Sequence, residues 1–214
     1  MGKISEALEK YRYALAIDEA AAIADPANTL GRIDLSISQT NIGDILTKIG
    51  DLRGALDQYK KASAIVEGLS ADDPTDVRPL RYVASTRLKI GQTLSKLDDR
   101  AGAIASFKRA QFADEARAAV DPRDTRSRAD LAGVYSQFGD LHASLADDPQ
   151  RTSRARRASW QDARAWYQKS LDIWLELERS GSVAPVNSAA PETILRAIAR
   201  CDAALAQLEC GCAR

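Results

Sequence analysis

Asn41-Ile42-Gly43-Asp44-Ile45-Leu46-Thr47-Lys48-Ile49-Gly50-Asp51-Leu52-Arg53-Gly54-Ala55-Leu56-Asp57-Gln58-Tyr59-Lys60-Lys61-Ala62 decides the fold. Ile42, Ile45, Leu46 and Ile49 return at helical intervals and continue a pattern begun by Ile33 and Ile37. Gly50-Asp51 then offers a C-terminal and an N-terminal cap side by side. Beyond it Ala55, Tyr59 and Ala62 fall at i, i+4 and i+7, one helix face with small residues where helices must approach closely. The stretch reads as helix, tight turn, helix.

The same pattern recurs at a fixed interval of 48 residues, seen in Gly43, Gly91 and Gly139. Asp25-Pro26, Asp73-Pro74 and Asp121-Pro122 keep it, as do Glu19, Glu67 and Glu115. So do Ala7, Ala55 and Ala103, then Tyr11, Tyr59 and Phe107, then Ala14, Ala62 and Ala110. The second unit supplies its own helical set, Leu80, Val83, Leu88, Ile90, Leu94 and Leu97, with Asp98-Asp99 at the turn. Each Asp-Pro is expected to stop one helix and start the next, because proline lacks the N–H a helix interior needs. No segment shows sustained period-2 alternation with β-branched enrichment, so no sheet is expected. This is a tandem array of helix pairs.

The residues resemble the tetratricopeptide repeat. Ile42-Gly43, Leu46, Gly50, Ala55, Tyr59 and Ala62 match its pattern, and Ile90-Gly91, Leu94, Ala103, Phe107 and Ala110 match it again. The family's early aromatic residue is absent, with Gln39 and Arg87 in its place. The family unit has about 34 residues, so these units carry about two extra heptads, one per helix. The resemblance implies an all-α fold, a right-handed superhelix of antiparallel helix pairs, whose first helices line a concave groove for a protein or peptide. The groove positions are Ile37, Thr40, Asp44, Thr47 and Lys48, then Ser85, Leu88, Gln92, Ser95 and Lys96, then Gly133, Ser136, Asp140, Ala143 and Ser144. One branch of the family grips a C-terminal carboxylate with lysine and asparagine from this face. Thr40, Asp44 and Gly133 stand where that clamp needs them, so no clamp is expected. Long units with Asp-Pro boundaries also resemble repeat regions of bacterial multidomain signalling proteins, some with an upstream serine/threonine kinase domain; no kinase motif is present.

The chain divides as a half-repeat (1–24), repeats at 25–72, 73–120 and 121–180, a Gly/Ser/Ala/Pro linker (181–190) and a capping helix (191–210). The half-repeat leaves Ile4, Leu8 and Leu15 short of one neighbour. That suits either the C-terminal piece of a longer protein or a one-helix cap that pairs with a second copy as a homodimer. In the third unit Ala163, Tyr167 and Ser170 arrive 60 residues after Ala103, Phe107 and Ala110, an excess of 12 placed around 146–158. Asp147-Asp148-Pro149 ends one helix there, and Ser159-Trp160-Gln161-Asp162 reads as a capping box opening the next. The capping helix carries Ile194, Leu195, Ile198, Ala199, Ala204, Leu205 and Leu208 as its periodic set.

Composition narrows the chemistry. In 214 residues, 30 basic side chains balance 30 acidic ones, which gives no reason to expect nucleic acid or an acidic membrane as partner. No apolar run is long enough to span a bilayer and no secretory leader is visible, so the chain reads as soluble and cytoplasmic. Arg151, Arg154, Arg156 and Arg157 form either an anion or acidic-peptide site or a solvated loop balanced by Asp147, Asp148 and Asp162. Trp160, Tyr167 and Trp174 share a stripe facing the capping helix, leaving Trp166 as the candidate exposed anchor. Cys201, Cys210 and Cys212, with His142 alone, fall short of a structural zinc set and read as free thiols. Nucleotide, hydrolase and metalloprotease motifs are all missing. A non-catalytic interaction scaffold without cofactor or metal is the expectation, with self-assembly through the half-repeat as the alternative.

Overall fold

The computed structural model describes residues 2–184 and 187–211. Eight helices and no strand occur among the described residues: α1 (Gly2–Ala24), α2 (Thr29–Lys48), α3 (Leu52–Asp72), α4 (Arg78–Lys96), α5 (Arg100–Val120), α6 (Thr125–Asp147), α7 (Ser153–Arg179) and α8 (Ala190–Gly211). They fall into two compact units, Met1–Arg117 and Ala118–Arg214.

Local chemistry explains where the helices start and stop. Asn28 accepts the N–H of Gly31 at 3.0 Å, and Asp51 and Asp99 accept those of Gly54 and Gly102 at 2.9 Å. Each thereby satisfies a donor that a helix start leaves without an intrahelical partner. The Asp-Pro pairs end helices as expected but do not open the next ones. Asp73, Asp121 and Asp148 instead accept the N–H two residues on, at Thr75, Arg123 and Gln150, which makes a side-chain-held turn around each proline. The following helices begin a few residues later. At the α2–α3 turn Gly50 adopts φ +85°, and at the α4–α5 turn Asp98 takes the same left-handed conformation at φ 62°.

In the first unit consecutive helices pack antiparallel. Arg32 near the start of α2 pairs with Asp72 at the end of α3, at 3.2 Å. Tyr59 packs on Ile90, and Val66 on Val83 and Ala84, so α3 and α4 also run in opposite directions. The repeating glycine fixes the register. A Cβ on Gly43 would lie 2.5 Å from the Tyr59 ring, and one on Gly91 would meet Phe107 equally closely. Glycine is required here because the aromatic ring occupies the space a side chain would need.

The second unit repeats that contact between Gly139 and Tyr167, at 2.5 Å. Its core joins Trp160, Ala163, Tyr167, Leu171, Trp174 and Leu177 of α7 to Ile194, Ile198 and Cys201 of α8. Ten of the 12 extra residues are helix and two lengthen the connection. α6 runs eight residues past Gly139, whereas α2 and α4 stop five past their glycines, and α7 starts ten before Ala163 instead of three. The helix start expected at Ser159 is therefore corrected: Ser159 is buried inside α7, and the N-cap is Thr152, accepting from Ala155 N–H at 3.2 Å. Helix continues because 153–162 contains no glycine or proline and Trp160 has a core to enter.

Candidate functional site

The groove positions of the first two repeats gather between α2 and α4. Two adjoining cavities, of about 290 and 310 Å³, share Asp44 and Lys89 as a common wall. Thr47, Lys48, Gln92 and Lys96 line one; Ile37, Thr40 and Ser85 line the other. Leu88 and Ser95 are half-buried and are not among the lining residues. Lys89, Arg81, Asn41, Tyr82, Thr86 and Thr93 line the cavities without having been anticipated.

A small polar network forms the floor. The Tyr59 hydroxyl donates to Asp44 Oδ1 at 2.7 Å and lies 3.1 Å from Thr47 Oγ1. Lys89 Nζ reaches the same carboxylate at 2.6 Å and sits 5.7 Å over the Tyr59 ring. Burial pushes the Tyr59 hydroxyl well above its ordinary pKa; Thr47 lowers it somewhat and Asp44 raises it further, so the group stays protonated as the donor. Two turns further along α3, burial of Glu67 is outweighed by the Arg87 guanidinium, which holds the carboxyl below its ordinary range through contacts of 2.5 and 2.7 Å. That pair fixes α4 against α3 and gives Arg87 a structural task.

The third set of groove positions lies in the second unit. Asp140 accepts the Tyr167 hydroxyl at 2.6 Å, repeating the Asp44–Tyr59 contact. Ser136 donates to Gly133 O at 2.8 Å within its own helix, and Ser144 is exposed. Ala143 is corrected from a groove wall to a core residue, only 4 % exposed. The Asp–Tyr partnership was legible and missed. Where the second-helix aromatic is tyrosine the residue after the glycine is aspartate, and where it is Phe107 that residue is Gln92.

The arginine cluster turns inward onto helix ends. Arg151 donates to Leu145 O at 3.1 Å and Ser159 Oγ at 2.7 Å, and Arg156 donates to Ala146 O at 2.8 Å. These guanidiniums cap the last carbonyls of α6, where positive charge also suits the helix dipole. Arg157 pairs with Glu209 of α8, leaving Arg154 exposed. Trp166 is not a free anchor. It is half-buried, stacked on Phe138 at 4.5 Å, with Lys169 Nζ 4.2 Å over its ring.

His142 is half-buried, its Nδ1 3.5 Å from Asp162; burial lowers its pKa against the pull of that carboxylate. Cys201 is buried and its thiol is pushed up to about 11. The side chains of Cys210 and Cys212 lie outside the described residues, as does that of Ile4. Among the described residues no group of three or more His, Cys, Asp and Glu is placed to hold a metal ion, and no helix is long and apolar enough to cross a membrane.

No family model and no curated protein matches the sequence. Among solved structures, the chain is similar to BtubC (BKLC) from P. vanneervenii at 15% identity and a TM-score of 0.44, over 96% of this chain and 89% of that one.

Proposed function

We propose that the chain is a tetratricopeptide-like, non-catalytic interaction module that holds a protein or peptide segment between α2 and α4. The supporting observation is the continuous groove there: two cavities meeting at Asp44 and Lys89, walled by hydroxyl, amide and cationic groups on a fixed floor. Such a lining offers hydrogen bonds to an extended main chain without a deep apolar pocket for a small molecule. The resemblance to repeat regions of bacterial signalling proteins supports a scaffold role in the cytoplasm. The test is binding of an identified protein partner by a chain carrying Thr40→Trp, Gln92→Trp and Lys96→Glu together. Asp44 is left intact because it holds Tyr59 and Lys89. A loss of affinity of about tenfold or more is expected, and unchanged affinity overturns the assignment.

A second reading, self-assembly through α1, draws on a different observation. Tyr13, Ile17 and Ile23 on α1 and Leu30 on α2 are 73, 53, 79 and 60 % exposed. Exposed large apolar side chains favour contact with another protein surface. Light scattering across concentration separates the two readings: mass rising above the monomer, and abolished by Tyr13→Glu with Ile17→Glu, supports assembly. A constant monomeric mass removes it.

A further inference from the structure

Thirty basic and thirty acidic residues leave the chain neutral, so any local excess of charge is a matter of placement. The α2–α4 groove has such an excess. Its charged lining is Lys48, Lys89, Lys96 and Arg81 against Asp44 alone. Asp44 is already engaged by Lys89 at 2.6 Å and by the Tyr59 hydroxyl at 2.7 Å. Among the described residues, Lys48, Lys96 and Arg81 have no ion-pair partner.

Helix stability accounts for only part of this. Lys48 and Lys96 occupy the last turns of α2 and α4, where a cation favours the helix dipole. Arg81 lies at the opposite end of α4, in its first turn, where the dipole disfavours a cation. Arg78 in the same turn is tied to Asp76 at 2.7 Å, but Arg81 meets only the Tyr82 ring, at 5.6 Å. Apart from that ring contact its charge has no partner among the described residues, and its side chain lines the cavity.

Between Arg81 and Lys96 the helix rises about 22 Å, the span of roughly seven residues of extended chain. Thr40, Asn41, Ser85, Gln92 and Thr93 line the interval. We infer that the groove takes an extended acidic protein segment, with carboxylates about seven residues apart, one between Lys48 and Lys96 and the other at Arg81. This rests on the groove reading above and adds the chemistry of the partner. A planar guanidinium suits bidentate contact with one carboxylate, and the two lysines supply point charges for the other.

The probe is a fluorescein-labelled nine-residue peptide, Glu-Ser-Gly-Ser-Thr-Ser-Gly-Glu-Glu, compared with its all-Gln counterpart by fluorescence anisotropy at low and physiological salt. The acidic peptide is expected to bind at least tenfold more tightly than the Gln form and to weaken as salt rises. Lys48→Glu with Lys96→Glu, and separately Arg81→Glu, should each cost about tenfold or more, with circular dichroism unchanged. Phe112→Ala, at an exposed position on α5, should change nothing. If both peptides bind equally and Gln92→Trp abolishes both, the charge inference falls while the groove stands. Acidic-peptide binding that survives the charge reversals and Gln92→Trp overturns both. If the acidic peptide does not bind, the inference is overturned.

Discussion

The α2/α3 and α6/α7 hairpins share one contact and differ in length. In both, a glycine on the first helix lies under a tyrosine ring from the second, and the tyrosine hydroxyl donates to the aspartate beside that glycine. The first hairpin closes in three residues, Ile49 to Asp51, whereas the second adds turns to both helices and closes over 148–152. Register is therefore set at the glycine, by the exclusion of a Cβ, and length is free to change at the closed end. The added turns have a use in the second unit. They carry Trp160 into the α7–α8 core and Arg157 to Glu209, while Arg200 of α8 lies 5.3 Å over the Trp160 ring and pairs with Asp147. The short hairpin instead leaves Lys48 at a groove edge.

The largest expected break in this comparison is Trp160→Ala. It should cost about 3–5 kcal/mol by urea unfolding, because the ring is 2 % exposed in a core that cannot close around the void. The matching position seven before the tyrosine in α3 is half-buried Leu52, where alanine should cost below about 2 kcal/mol. Next come Gly43→Ala and Gly139→Ala. Both should lose about 1–3 kcal/mol, and by similar amounts, since the clash with the ring is the same in the two hairpins despite their lengths. A clear gain in stability at either glycine would show that the ring moves aside at little cost.

Tyr59→Phe should lose about 1 kcal/mol, the worth of a hydrogen bond to a charged acceptor that keeps Lys89 as a second partner. Tyr167→Phe should lose less, because Asp140 is exposed and water replaces the hydroxyl. Thermal melts of the pair sharpen the comparison at its shared contact. The smallest effect belongs to the turns. Asp98→Gly should stabilise by about 0.5–1 kcal/mol, relieving a left-handed aspartate, and Gly50→Asp should destabilise by a similar amount.

The helix pairs were legible in the sequence because a contact that excludes Cβ leaves glycine and an aromatic at fixed intervals, and both survive as letters. Of the residues that spacing put on one face, Asp44, Lys48, Gln92 and Lys96 line one cavity and Thr40 lines the adjoining one, whereas Leu88 lines neither. Lys89 and Arg81 were missed because a lysine or arginine stem reaches across several ångströms, so its head lines a cavity that its Cα direction does not indicate. The 153–162 segment was misread for a different reason. Ser159-Trp160-Gln161-Asp162 has the letters of a capping box, yet the upstream arginines find the α6 carbonyls and the helix continues through it. Arg87 shows the converse: the letter alone does not say what it does, and in the structure it pairs with Glu67 of the neighbouring helix.

Amide hydrogen exchange on the whole chain, with and without a saturating bound protein partner, tests the central claim most directly. Slowed exchange concentrated on α2 and α4, with α7 and α8 keeping their free-chain rates, is the predicted result. Protection that falls instead on α1 around Tyr13 and Ile17, or around Phe112 of α5, with α2 and α4 unchanged, would contradict it.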